Sequence, residues 1–213
     1  MNVKQPPKNQ GANLLSTQGL HPTVKATAWV SFLTDFSSEI IYPLLPVFLT
    51  SFLGAGMAFV GVLEGIAESV ASLLKLLSGW LSDRIGRRRP LVLAGYALAS
   101  AARPLVAVAA APWHVLVIRV CDRVGKGLRS APRDALIADV TPPASRGHAY
   151  GFQRAMDHAG AVAGPLVAFA VLRSAGTGAP LPSEATLRAV FALAALPALL
   201  AVVVAVGWIR DAP

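Results

Sequence analysis

Residues 113–139 read WHVLVIRVCDRVGKGLRSAPRDALIAD, an apolar helix that turns into a ladder of charge. Arg119, Asp122, Arg123, Lys126, Arg129, Arg133 and Asp134 recur at steps of mostly three and four, which puts them in one stripe along a helix. On a lone segment that stripe would read as a solvated face. Five apolar segments of spanning length surround this one, so the stripe is expected to line a polar cavity inside a membrane bundle, where ionisable side chains mark transport pathways.

Composition agrees. Of the 213 residues, 54% are hydrophobic and 14% charged, the balance of a membrane protein. A net charge of +8 would suit nucleic acid, but the basic residues follow membrane topology, and no nucleic-acid partner is expected. Cys121 is the single cysteine, which leaves neither a disulfide framework nor a thiolate metal site. His21, His114, His148 and His158 are scattered over different elements, and no nucleophile and base come together in the pattern. No enzymatic activity, catalytic residue, metal or cofactor is expected.

Residues 1–24 are polar, with Pro6, Pro7, Gly11, Gly19 and Pro22, and are expected to form a disordered cytoplasmic tail. The remainder, 25–213, reads as one all-α, polytopic domain of six transmembrane helices, at about Ala26 to Phe52, Phe59 to Leu81, Leu91 to Ala111, Trp113 to Ala138, Ala149 to Leu172 and Leu187 to Ile209. With the amino terminus inside, the cytoplasmic stretches hold Lys4, Lys8, Lys25, Arg84, Arg87, Arg88, Arg89, Arg146 and Arg210, whereas the outer loops hold only Arg173 and Arg188. That asymmetry satisfies the positive-inside rule for a multi-pass plasma (inner) membrane protein. Trp29, Trp80, Trp113 and Trp208 fall near span ends, where an amphipathic ring suits the interface.

The turn between the second and third spans reads GWLSDRIGRRRP, residues 79–90. Gly79 permits close approach of a neighbouring helix, Gly86 suits the left-handed residue that ends a helix, and Pro90 suits the first turn of the next. Asp83, near the C-terminal end of its own helix, opposes that helix's dipole and is expected to cap another helix or to pair with an arginine. Gly79, Asp83, Arg84, Gly86, Arg87 and Arg88 resemble the hallmark of the major facilitator superfamily at this position. Two further stretches resemble that family. Arg123, Lys126, Gly127, Arg129, Ser130 and Ala131 are similar to its fourth-span motif, with Lys126 in place of Gln and Arg129 in place of Gly. Gly160, Gly164 and Pro165 resemble the fifth-span motif of its exporters, which implies a packing or gating role; Ala168 and Phe169 stand where that motif ends in glycines.

The resemblance implies secondary transport of a small molecule, coupled to protons, with export favoured. In the family the arginine matched by Arg123 tunes a proton-carrying acid. Read from the residues themselves, Arg123 and its neighbours could equally form an ion-pair network with Asp122 and Asp134, or hold an anion. Seven acids and eight bases lie within the spans, at about 2.5–3.5 kcal/mol each for insertion beside lipid, so most must face one another or a cavity. Asp35 and Glu39 are one turn apart, as are Glu64 and Glu68, while Arg154, Asp157 and His158 share a turn. Counting through each span puts Asp35, Glu39, Glu68, Lys126, Asp157 and His158 near mid-membrane, where transporters place their sites. A low dielectric disfavours a fixed charge, so Asp35, Glu39, Glu68 and Asp157 are candidates for carrying a proton, with His158 a further one. Arg119, Asp122, Arg123, Lys126 and Arg154 complete the expected pathway. Lys75, Arg103 and His114 receive no role.

Six spans are half of the family's usual twelve. The expected partners are therefore the lipid bilayer, a small-molecule substrate, protons and a second six-helix half. Truncation, a separately encoded half and a second copy of this chain would each account for that half, and truncation is favoured.

Overall fold

The computed structural model describes residues 17, 19–174 and 182–211, and in it the six expected segments are six helical spans of an all-helical bundle. They run Pro22–Ser51, Met57–Ile85, Arg89–Val108, Pro112–Asp139, Arg146–Ser174 and Glu184–Trp208. Five are long and apolar enough to cross a membrane. The fourth, Pro112–Asp139, is as long but carries the charged stripe. Leu73, Leu76, Leu77, Trp80, Leu166, Phe169, Leu199 and Val203 are each at least 60% exposed on the bundle surface, an apolar exterior that suits lipid rather than water.

Nine of the twelve span ends run one to four residues beyond the apolar stretches, while the first, third and sixth spans close one to three residues short, at Ser51, Val108 and Trp208. The first helix begins at Pro22, ahead of the expected boundary at residue 25: proline occupies its first turn and His21 Nδ1 accepts the Thr23 N–H at 3.2 Å. Of the expected tail, residues 1–16 and 18 lie outside the described residues, as do 175–181 of the loop between the fifth and sixth spans.

Prolines interrupt three spans. Pro43 sits in a 3-10 turn, Tyr42–Leu44, that separates helix Pro22–Ile41 from Leu45–Ser51. Pro104 belongs to the 3-10 segment Arg103–Val108 that completes the third span. The sixth breaks at Ala194, ahead of Pro197, and Ser37 Oγ donates to the Ala194 carbonyl at 2.8 Å.

The first span packs on the fifth and sixth, and the fourth packs on the second and third. Two close approaches set the second of these groups. A Cβ on Gly95 would lie 2.5 Å from the Gly125 carbonyl oxygen, and a Cβ on Gly125 would lie 2.6 Å from the Gly95 carbonyl oxygen. Each glycine therefore makes room for the other's backbone. Gly125→Ala is expected to cost about 1–3 kcal/mol, read as a lower midpoint in denaturant titration of the purified protein; an unchanged midpoint would mean that the two helices separate freely.

At one end the start of the third span is tied to the end of the sixth and to Asp211 just beyond it. Asp211 accepts the backbone N–H groups of Arg88 (3.1 Å) and Arg89 (2.8 Å), where the third span starts. The Arg89 side chain in turn donates to the carbonyls of Ile209 (2.8 Å) and Val206 (3.0 Å), where the sixth span ends. Each helix terminus receives the charge that its dipole favours.

Candidate functional site

The steps of three and four along the fourth span turn its charges towards two neighbouring groups of helices. A cavity of about 360 Å³ opens between the first, second, fourth and fifth spans. Asp35 borders it from the first, Glu68 and Lys75 from the second, Lys126, Arg129, Arg133 and Asp134 from the fourth, and Arg154, Asp157 and His158 from the fifth. An adjoining recess of about 210 Å³ shares Asp35, Lys126 and Arg129 and adds Glu39, Arg103, Asp122 and Arg123. The side chains placed near mid-membrane by counting are thus gathered around two connected spaces.

Most of these charges are already matched. Glu64 and Glu68 face Arg119 and Arg123 across the second and fourth spans, two rungs with the same spacing on both helices. Arg119 Nε and Nη2 donate to the Glu64 carboxylate at 3.0 and 2.7 Å, and Arg123 Nε lies 3.8 Å from Glu68. Asp122 is not the partner of Arg123. It is buried, and its two oxygens take Arg103 Nε at 2.8 Å and the Tyr42 hydroxyl at 2.5 Å, while Arg103 also donates to the Thr34 carbonyl at 2.8 Å. The Arg119 guanidinium lies 3.5 Å from the centroid of the Tyr42 ring. Arg103, which the sequence left without a role, is therefore central to a buried network joining the first, third and fourth spans.

Asp134 is likewise taken by others. Arg133 reaches Ser31 Oγ at 3.0 Å, Asp134 at 3.0 Å and Asp157 at 3.6 Å. Arg154 lies 3.7 Å from Asp157 and 3.9 Å from Asp134, and Gln153 donates to Asp157 at 2.9 Å. Five charged groups bordering the two spaces stand apart from this pairing, Lys75 and Lys126 among them. Asp35 and Glu39 are half-buried and have no salt-bridge partner among the described residues. Arg129 is only 4% exposed, and its Nη1 has no hydrogen-bond partner among the described residues.

Gly160 and Gly164 lie in the contact between the fifth and first spans. A Cβ on Gly164 would fall 2.8 Å from the Phe36 carbonyl oxygen, so the geometry gives these glycines a packing use. Pro165 follows within the same helix.

The turn at residues 79–90 is built as its residues require. A Cβ on Gly79 would come within 3.2 Å of Ala131 Cβ on the fourth span, and Gly86 ends the second span at φ 71°. Asp83 pairs with Arg88, which also reaches Ser82 Oγ at 2.8 Å and Asp139 at 3.3 Å. Partial burial works against the Arg88 charge, but hydrogen bonds and the charges of Asp83 and Asp139 outweigh it and raise its pKa above the ordinary value. Arg84 lies 5.4 Å from the centroid of the Trp80 ring, and Arg87 is exposed. Among the described residues no group of three or more His, Cys, Asp or Glu side chains is arranged to hold a metal ion.

A family model described as Major Facilitator Superfamily matches residues 27–213. An uncharacterised MFS-type transporter of Methanocaldococcus jannaschii is 35% identical over 157 residues, which cover 74% of this chain and 39% of that protein. The multidrug resistance protein MdtH of Cronobacter sakazakii is 31% identical over 128 residues, covering 60% of this chain and 32% of that one. Among solved structures, a bacterial homologue of the human lysosomal transporter Spinster, inward-facing and occupied, superposes with a TM-score of 0.75 at 22% identity. That match covers 92% of this chain and 46% of the homologue. The chain thus spans less than half the length of these proteins.

Proposed function

Because this chain belongs to the major facilitator superfamily, we propose that it forms one six-span wall of a secondary transporter that exports a small molecule in exchange for protons. The observation that carries this reading is the charged cavity between four spans, with Asp35 and Glu39 bordering it or its recess free of salt bridges. Alternating access works around a site at the interface of two halves, so these charged spaces would form one side of that site and a second six-span half the other. That half is the proposed partner, from the same polypeptide, another one or a second copy. Export is supported by the relatives named as multidrug resistance proteins and by the resemblance of Gly160, Gly164 and Pro165 to the fifth-span motif of the family's exporters. An inner membrane and a cytoplasmic amino terminus are supported by the lysine and arginine bias of the turns.

A second reading, an assembly partner that does not itself transport, is favoured for part of the charge by the Arg103–Asp122 and Arg119–Glu64 pairs, which are bonded to one another. Reconstitution separates the two. The protein is placed, together with its second six-span half, in vesicles with an imposed pH gradient and a pH dye in the lumen, and anionic, cationic and neutral solutes are added in turn. Solute-dependent proton movement is expected, with Lys126→Gln and Asp157→Asn each lowering it at least tenfold. Normal movement in both of these, and also in Asp35→Asn and Arg123→Gln, would overturn the site.

A further inference from the structure

The transport reading names no substrate, and the cavity wall itself narrows the chemistry. Its charges can be sorted by whether another residue already answers them. Arg133 and Arg154 are answered by Asp134 and Asp157, and Arg123 by Glu68. What is left around the two connected spaces is Lys75, Lys126 and Arg129 against Asp35 and Glu39. Cations are in excess among the uncommitted groups.

Arg129 is the distinctive member. It is 4% exposed, borders both spaces, and has an unpartnered Nη1. Its guanidinium lies 4.7 Å from the centroid of the Tyr96 ring, whose hydroxyl is held by Ser31 Oγ at 3.0 Å. An aromatic support of this kind fixes the guanidinium while leaving edge donors available. A buried cation with a donor left over costs free energy unless something else accepts from it.

We propose that Arg129 is the receptor for an anionic group of the transported solute, a carboxylate or phosphate that completes its hydrogen bonding, with Lys126 as a supporting charge. This rests on the transport reading. The planar fork of an arginine matches both anions bidentately, and a second contact from a flexible lysine tolerates a range of solutes. The same chemistry could come from a lipid headgroup. The strongly charged lining, with Asp35, Asp134 and Asp157 among it, favours a solute that enters from water.

The test uses the full chain in nanodiscs and two probes of similar size, phenylphosphonate and benzyltrimethylammonium, titrated calorimetrically. Phenylphosphonate is expected to bind saturably, with Kd at least tenfold higher in Arg129→Gln and unchanged when phosphatidylglycerol replaces phosphatidylcholine. A measurement on the unsubstituted protein guards against a variant that fails to fold: phenylglyoxal should modify Arg129, located by peptide mass spectrometry, and phenylphosphonate should protect it. Preferential binding of the ammonium probe, an unchanged Kd in Arg129→Gln, or modification that phenylphosphonate does not slow would each overturn the proposal. Competition by phosphatidylglycerol would also overturn it, reassigning the site to a headgroup. If cationic solutes alone drive proton movement in vesicles, the anion receptor falls and transport stands. If no solute does while phenylphosphonate still binds through Arg129, transport falls and the anion site stands.

Discussion

Replacing Asp122 by alanine is expected to destabilise the bundle by on the order of 3–5 kcal/mol, the scale for breaking a buried ion pair from one side. The carboxylate is buried and serves Arg103 and Tyr42 together. Without it Arg103, 2% exposed, keeps the Thr34 carbonyl but has no carboxylate partner among the described residues. The double variant Arg103→Met/Asp122→Leu removes both charges and is expected to recover most of the loss. Denaturant titration in mixed micelles reads both. A loss below about 1 kcal/mol in the single variant, the range of exposed pairs, would mean that water reaches Arg103 and that Asp122 belongs to the open pathway instead of the framework.

The second large effect is functional. Asp35→Asn is expected to lower solute-dependent proton movement at least 100-fold while leaving solute-for-solute exchange measurable. A proton carrier must gain and lose its charge during the cycle, and a carboxylate locked into a salt bridge resists doing so. Of the acids considered for this task, Glu68 faces Arg123, and Asp157 is surrounded by Gln153, Arg133 and Arg154. Asp35 and Glu39 are not held this way, and Asp35 borders both the cavity and its recess. Glu39→Gln, which borders only the smaller recess of the two, is expected to have the lesser effect. Proton movement in Asp35→Asn equal to that of the unsubstituted protein would remove Asp35 from the mechanism.

The bundle was legible because lipid imposes a rule on every span: about 20 apolar residues, polar turns and basic inner loops. The turn at residues 79–90 was legible for a local reason, since Gly79, Gly86 and Pro90 each meet a backbone or packing demand readable one residue at a time. Partner choice was harder. The two rungs Glu64–Arg119 and Glu68–Arg123 were present in the spacing, four residues on each helix, but only the rotation of the helices decides that these faces meet. Arg103 gave no such signal. Its partner is 19 residues away across a turn, and a lone arginine in an apolar segment looks the same whether it is paired, snorkelling or catalytic. Gly95 and Gly125 were silent too, because their fit is reciprocal and each makes sense only beside the other. Asp35, Lys126, Asp157 and His158, grouped by counting through the spans, border one cavity in the structure, and which of them is committed to a salt bridge depends on how the helices are rotated against one another.

The clasp between the third and sixth spans bears on how the protein is made. Arg89 and the Asp211 carboxylate that caps its helix are 122 residues apart in sequence, so at about 5–20 residues per second roughly 6–24 s of synthesis separate the two halves of the clasp. Throughout that interval the start of the third span waits with its N–H groups facing water or headgroups. Asp211 reaches the start of the third span only when the sixth span ends on that side of the bundle. The clasp thus links the direction of the sixth span to the capping of the third: a chain with the sixth helix inverted would leave the first N–H groups of the third span without the Asp211 carboxylate.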